Sequence, residues 1–264
     1  MPQTDASAKA KALYEARRTR VPIAPFTDTE PDLGMAEGYA VQQELVRLLL
    51  AEGDEIIGYK VGLTSTAMQR MIGVDSPDYG PVLASTRYAN GGSVLLSAFI
   101  APRVEAEIVF VLGAELRGPG VTVEQARAAI AGAVPGLEIV DSRIADWRIK
   151  LADTIADLAS NGALAIAERV VPVDGFDPRL IGMVLTRNGD LVDTGAGAAA
   201  LGDPVAVVAW LANVLGEHGV PLLPGHLVMT GALHAAVPMA AGDVFHAEFD
   251  RLGSVSISVS AGVD

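Results

Sequence analysis

The chain contains no cysteine, so disulfides and thiolate metal sites are both excluded. Any metal it holds must be bound by carboxylate, imidazole or carbonyl. Basic residues are scarce as well: 19 Lys and Arg stand against 32 Asp and Glu, a net charge of −13. That balance argues against nucleic acid as a partner, since such binding needs a basic surface to replace phosphate counterions. No apolar run approaches the roughly 20 residues that span a bilayer, and Met1 to Lys11 lacks the hydrophobic core of a signal peptide. A cytoplasmic protein with no membrane partner is the expectation. Several motifs are missing too. There is no GxxxxGK loop and no GxGxxG turn for nucleotide phosphates, and no GxSxG elbow for a serine nucleophile.

With half of its 264 residues hydrophobic and 19% charged, the chain has the composition of a folded globular protein. No repeat or low-complexity linker interrupts it. Ala8 to Arg18 and Asp32 to Ala51 read as helices, the second because Val41, Leu45, Leu48 and Leu49 recur at helical spacing. Residues 1–55 therefore form a helical N-terminal lobe. Residues 56–264 read as one compact β-rich catalytic domain, giving an α+β protein. Ile56 to Leu63 is its first strand, and a short helix follows, capped at Thr64 or Ser65 and ended by Gly73. Val74 to Pro81 reads as a turn-rich loop in which Asp75 and Asp78 are ordinary turn formers. Thr122 to Gly132 is a helix with Thr122 and Gln125 at capping-box spacing, and Val134 to Val140 is a short strand. Leu151 to Ala159 is a further helix stopped by Asn161-Gly162. Asn188-Gly189 marks a two-residue hairpin, and Asp203-Pro204 starts a helix that runs to Gly216.

One stretch departs from these patterns. Arg103-Val104-Glu105-Ala106-Glu107-Ile108-Val109-Phe110-Val111 reads as a strand buried on both faces, yet it carries two carboxylates. Residues two apart on a strand share a face, with Cβ atoms roughly 7 Å apart. Two like charges there cost several kcal/mol unless paired or bound to metal. Glu138 is a third carboxylate in an apolar setting. Together Glu105, Glu107 and Glu138 form an oxygen set suited to Mg²⁺ or Mn²⁺. Lys60 is a fourth anomaly, an ammonium in an apolar strand between Gly58 and Gly62, glycines that allow a backbone or ligand to approach. The histidines at 218, 226, 234 and 246 are scattered and read as structural or surface residues.

Five ordered segments carry a resemblance: Gly58-Tyr59-Lys60-Val61-Gly62-Leu63-Thr64-Ser65, Gly73 to Gly80, Pro102 to Glu107, Leu137 to Ile144, and Asp153-Thr154-Ile155-Ala156-Asp157. They resemble the 2-hydroxypenta-2,4-dienoate (2-keto-4-pentenoate) hydratases of the fumarylacetoacetate hydrolase superfamily. The likeness extends through Thr230-Gly231-Ala232-Leu233 to Leu252-Gly253-Ser254-Val255. It implies a mixed β-roll fold, a divalent metal on Glu105, Glu107 and Glu138, and a site lined by Lys60, Asp78 and Ser160. It also implies pentamer-based homo-oligomers, a small 2-hydroxydienoate or 2-oxoacid substrate, and association with a downstream aldolase. In the mechanism it suggests, Lys60 transfers a proton with its pKa lowered by burial, Asp78 activates water and Ser160 places the substrate carboxylate. The family often shows Ala-Asp-Asn-Ala-Ser where this chain has Ala156-Asp157-Leu158-Ala159-Ser160. Three other readings stand beside the hydratase. A 4-oxalocrotonate decarboxylase would need a cation for a second substrate carboxylate, for which Arg143, Arg148 and Lys150 are candidates. A C–C bond hydrolase of this fold would use a His–Glu pair, and Thr64 to Tyr79 holds no histidine. In a non-catalytic assembly protein, Arg103 or Arg143 would neutralise the glutamates.

Overall fold

The computed structural model describes residues 3–65, 69, 74 and 76–262. Its helices are α1 (Gln3–Thr19), α2 (Phe26–Thr29), α3 (Met35–Ala51), α4 (Val123–Ala129), α5 (Leu151–Ala156) and α6 (Pro204–Glu217). The strands in the first half are β1 (Ile56–Gly62), β2 (Asp78–Leu83), β3 (Arg87–Ala89), β4 (Gly92–Leu95), β5 (Arg103–Leu112) and β6 (Ile130–Val140). Those that follow are β7 (Asn161–Ile166), β8 (Gly182–Arg187), β9 (Asp190–Ala196), β10 (Leu227–Met229), β11 (Val237–Pro238), β12 (Val244–Phe249) and β13 (Gly253–Ser260). The expected helix after Ser65, up to Gly73, and Asp75 lie largely outside the described residues.

Two mixed sheets result, as the resemblance implies. The larger runs β2-β1-β10-β5-β6-β7-β3, with β11 added to β5 beyond the end of β10, and the smaller runs β4-β13-β12-β8-β9. Strand alternation decides what each face carries. On β5, Val104, Ala106, Ile108, Phe110 and Leu112 enter the main core, where they meet Phe245, Ala247, Val255 and Ile257 of the smaller sheet. The intervening residues point to the opposite face. There Val109 packs with Val82, Val134, Leu164, Ile166, Leu227 and Met229 in a separate apolar cluster. Asp78, Glu105, Glu107 and Glu138 have the same parity on their strands as that second cluster, and Lys60 lies opposite its Met229 in the β1–β10 pair. The second face therefore has a dry zone at one end and an ionisable zone at the other.

The N-terminal helices form a third apolar cluster. Ala6, Ala10 and Leu13 of α1 meet Val41, Leu45 and Leu49 of α3, together with Leu83, Ile144, Ala156 and Leu158 from the sheet side. Gln42 fastens α3 to the site-bearing elements, its amide donating to the carbonyls of Tyr79 and Ile155 at 2.9 and 2.8 Å.

Several sequence expectations need correction. Asp78 to Pro81 is strand rather than loop, because it pairs with β1 in the register Gly62↔Asp78 to Tyr59↔Pro81. Pairing partners, invisible in the local turn-rich composition, override it. The helix expected to reach Gly132 stops at Ala129, where the chain enters an 11-residue β6 paired along its length with β5. Its capping box is present, Thr122 Oγ1 accepting from Gln125 N–H and Gln125 Oε1 from Thr122 N–H. The helix expected over Leu151 to Ala159 ends at Ala156, and Leu158, Ala159 and Ser160 turn left-handed (φ 56°, 51° and 56°). Asn188 and Gly189 both take positive φ, as a type I′ hairpin requires. Gly197–Glu217 is 21 residues long and contains an 18-residue window with a mean hydropathy of 1.6, although Asp203-Pro204 interrupts its apolar run. Its helical part, α6, buries Val205, Val207, Val208, Leu211, Ala212 and Leu215 in the main core.

Candidate metal centre

Glu105 and Glu138 face each other directly across β5 and β6, and Glu107 sits one same-face step along, opposite Gly136. This register brings one oxygen of each of the three glutamates within 4.8 Å of the others. Glu107 and Glu138 are fully buried. Each has one oxygen held and one bare: Glu107 Oε2 accepts from Gly231 N–H at 2.9 Å, Glu138 Oε1 accepts from Asn161 Nδ2–H at 2.8 Å, and Glu107 Oε1 and Glu138 Oε2 make no hydrogen bond. Buried carboxylate oxygens without a donor are costly, and here both belong to the one cluster of glutamates.

Lys60 reaches the edge of this cluster from β1. Its Nζ donates to the carbonyl of Ala159 at 2.9 Å and lies 3.5 Å from Glu138 Oε2, an ion-pair distance without hydrogen-bond geometry. The flanking glycines act as their sequence suggests. A Cβ on Gly58 would lie 2.0 Å from the carbonyl oxygen of Leu227, and one on Gly62 would lie 2.2 Å from Asp78 Oδ1. Asp78 is buried beside Gly62, and its Oδ1 also lacks a hydrogen-bond partner. The left-handed turn at Leu158–Ser160 presents the Ala159 carbonyl to Lys60 and buries Ser160, whose Oγ lies 3.2 Å from Thr154 Oγ1. The same turn directs Leu158 into the cluster under α1 and α3. The position where the family often has asparagine thus serves packing here.

The electrostatics are those of a carboxylate cluster short of positive charge. Burial, reinforced by the Glu138 charge, pushes Glu105 up to about 7 and Glu107 well above the ordinary carboxylate range, and burial also raises Asp78. For Lys60 burial alone would depress the pKa, as the sequence reading expected. The carboxylates of Glu138, Asp78, Glu105 and Glu107 outweigh it and hold the ammonium above its ordinary value. The Arg103 charge offsets part of the shift at Glu105, but among the described residues no arginine forms an ion pair with the cluster. Arg143 is 2% exposed and paired with Asp157, and Arg103 lies over the Trp147 ring at 4.5 Å. Among the described residues Lys60 is the one ion-pair partner of these glutamates, so three carboxylates face one ammonium. A divalent cation fits that donor set and those bare oxygens.

Lys60, Asp78, Glu105, Glu107 and Glu138 therefore share one face, with Ser160 on the adjoining turn. Asn161, Gly231 and Thr154 also belong to the constellation. The sequence reading took Asn161 as a helix stop, and its only signal was a side-chain amide at the first residue of β7, the strand paired with the one that carries Glu138. His234 proves structural, its Nε2 accepting from Ala106 N–H at 2.8 Å between the two β5 glutamates.

The C-terminal model of the fumarylacetoacetate (FAA) hydrolase family matches residues 62–260. The chain is 42% identical to a 2-keto-4-pentenoate hydratase of Paraburkholderia xenovorans (strain LB400), over 93% of this chain and 91% of that protein. It is 41% identical to a 2-hydroxyhexa-2,4-dienoate hydratase of Comamonas testosteroni, over 94% and 95%. Among solved structures, 4-oxalocrotonate decarboxylase from Pseudomonas putida G7, complexed with magnesium and adipate, superposes with a TM-score of 0.95 at 37% identity and covers 98% of both chains. A sequence match that begins at the last residue of β1 and takes in β5, β6 and all three glutamates, with relatives alike along nearly their whole length, decides the affiliation: the chain belongs to the fumarylacetoacetate hydrolase family.

Proposed function

We propose that this protein is a divalent-metal-dependent hydratase that adds water to 2-hydroxypenta-2,4-dienoate or a close alkyl analogue, giving a 4-hydroxy-2-oxoacid. The observation that carries the reading is a cluster of three glutamates, two of them fully buried with bare oxygens, beside a buried lysine. It occurs in a chain 42% identical to a 2-keto-4-pentenoate hydratase. Glu105, Glu107 and Glu138 hold Mg²⁺ or Mn²⁺. When bound, the cation supplies Lewis-acid stabilisation of charge developing on the substrate C2 oxygen. Lys60, kept protonated by its carboxylate neighbours and anchored on Ala159, delivers a proton as the dienol becomes the conjugated ketone. Asp78 Oδ1, free of other partners, accepts a proton from the water that adds at C4, and a proton returned to C3 completes the 4-hydroxy-2-oxoacid. Ser160 Oγ orients the substrate carboxylate.

The decarboxylase reading has the likeness to 4-oxalocrotonate decarboxylase in its favour. It needs a cation for a second carboxylate, and the three candidates are otherwise placed. Arg143 is engaged by Asp157 and by the carbonyls of Asn161 and Asp157. Arg148 pairs with Asp28 at the surface, and Lys150 is exposed. The hydratase product is a β-hydroxy ketone, the substrate type of retro-aldol cleavage, which supports association with an aldolase. Pentamer-based homo-oligomers and a cytoplasmic location follow from the same family reading. Incubation with 2-hydroxypentadienoate and, separately, 4-oxalocrotonate, each with Mg²⁺ or Mn²⁺, tests the proposal. Dienoate absorbance should fall without CO₂ release; CO₂ from oxalocrotonate at the higher kcat/KM would overturn it.

A further inference from the structure

Two glutamates of the metal centre share one arrangement: a single N–H donor fixes one carboxylate oxygen and leaves the other bare. For Glu107 the donor is the backbone of Gly231. For Glu138 it is a side chain, Asn161 Nδ2, at 2.8 Å between residues 2% and 0% exposed. Asn161 is itself held. Its backbone carbonyl accepts from Arg143 Nη1–H at 3.0 Å, and the same guanidinium is locked by the Asp157 carboxylate and, at 2.6 Å, by the Asp157 backbone carbonyl. The amide orientation is fixed by chemistry, since only the NH₂ end can donate to a carboxylate.

We propose that Asn161, braced by Arg143 and Asp157, is a positioning residue for the cation site: it occupies Glu138 Oε1 so that Oε2 is the oxygen turned toward Lys60 and the metal. This rests on the reading of Glu105, Glu107 and Glu138 as cation ligands. A carboxylate bound at one oxygen loses the freedom to rotate or to chelate through both, so its partner sets affinity and ligand orientation. Arg143, a candidate for substrate recognition on sequence grounds, acts in the structure as the brace behind this ligand.

The test is Mn²⁺ affinity, read from the EPR signal of free Mn²⁺ on purified full-length protein, with circular dichroism confirming the fold. Asn161→Leu removes the donor at similar volume, and Asn161→Asp keeps the shape while replacing the donor with an acceptor. Both should weaken Mn²⁺ binding about tenfold or more, the usual effect of losing such a partner. KM for the dienoate at saturating Mn²⁺ should stay near the wild-type value. Affinity within twofold of wild type in either folded variant overturns the proposal, as does a fall in kcat/KM at saturating Mn²⁺ with unchanged affinity. Loss of fold in both variants also overturns it, by making the bond a folding requirement. A wild-type protein that binds no Mn²⁺ refutes the metal reading itself, whereas wild-type binding matched by the variants refutes only the role of Asn161.

Discussion

Glu107→Gln should make the chelated protein more stable while abolishing its response to metal. The ligand oxygens of Glu105, Glu107 and Glu138 lie within 4.8 Å of one another, where two unit charges repel by about 3 kcal/mol at an effective dielectric near 20. Glutamine removes two of the three repulsions. Its carbonyl oxygen still accepts from Gly231 N–H, and its NH₂ takes the place of the bare oxygen facing two acceptors. Protonation already relieves part of the strain in the wild type, because burial and the neighbouring charges hold Glu107 well above the ordinary range. The expected net gain is therefore about 1–2 kcal/mol, or roughly 2–6 °C in Tm for a chain of this size. Calorimetry in EDTA and in excess Mn²⁺ reads both effects. Wild type should gain stability with Mn²⁺, by mass action, and the variant should not, with turnover lost. A chelated variant that melts below wild type, or one that Mn²⁺ stabilises as much as wild type, would refute the reasoning.

The same carboxylates fix a pH dependence. Glu105 stands at about 7 against an ordinary value of 4.5, so the chelated folded state holds its proton more tightly than the unfolded chain. The associated stability is complete below about 4.5 and is lost as the pH rises through 7. Metal competes with those protons, so the Tm gap between Mn²⁺-loaded and chelated protein should widen from about pH 5.5 to 8; a constant gap in differential scanning fluorimetry would contradict the assignment. Gly62→Ala places a methyl 2.2 Å from Asp78 Oδ1 and 3.4 Å from Lys60 Nζ, which should cost about 1–3 kcal/mol of stability and at least tenfold in kcat. Unchanged kcat would remove Asp78 from the reaction.

Local pattern in the sequence determined a good deal. Composition found α1, helical spacing α3 and the Asp203-Pro204 cap α6; the capping box and the Asn188-Gly189 turn were legible because their chemistry is complete within a few residues, and strand parity put Glu105 and Glu107 on one face. Misplaced carboxylates singled out Glu105, Glu107 and Glu138, and the resemblance then named the family and implied a metal on that set. Other features depended on contacts between distant segments. Whether Asp78 lies in a loop or a strand is settled by its pairing with Gly62, and the end of α4 is settled by the pairing of β6 with β5. Leu158 looked like a change in a site motif, and packing under α1 and α3 makes it a core residue. Arg143 looked like a free cation until Asp157 engaged it. The direction of the Lys60 pKa follows from a competition between burial and four carboxylates drawn from three other strands, which the residues around Lys60 in the sequence do not contain. The convergence of Glu138 with Glu105 and Glu107, and the donor that turns it, exist only once β5, β6 and β7 have paired.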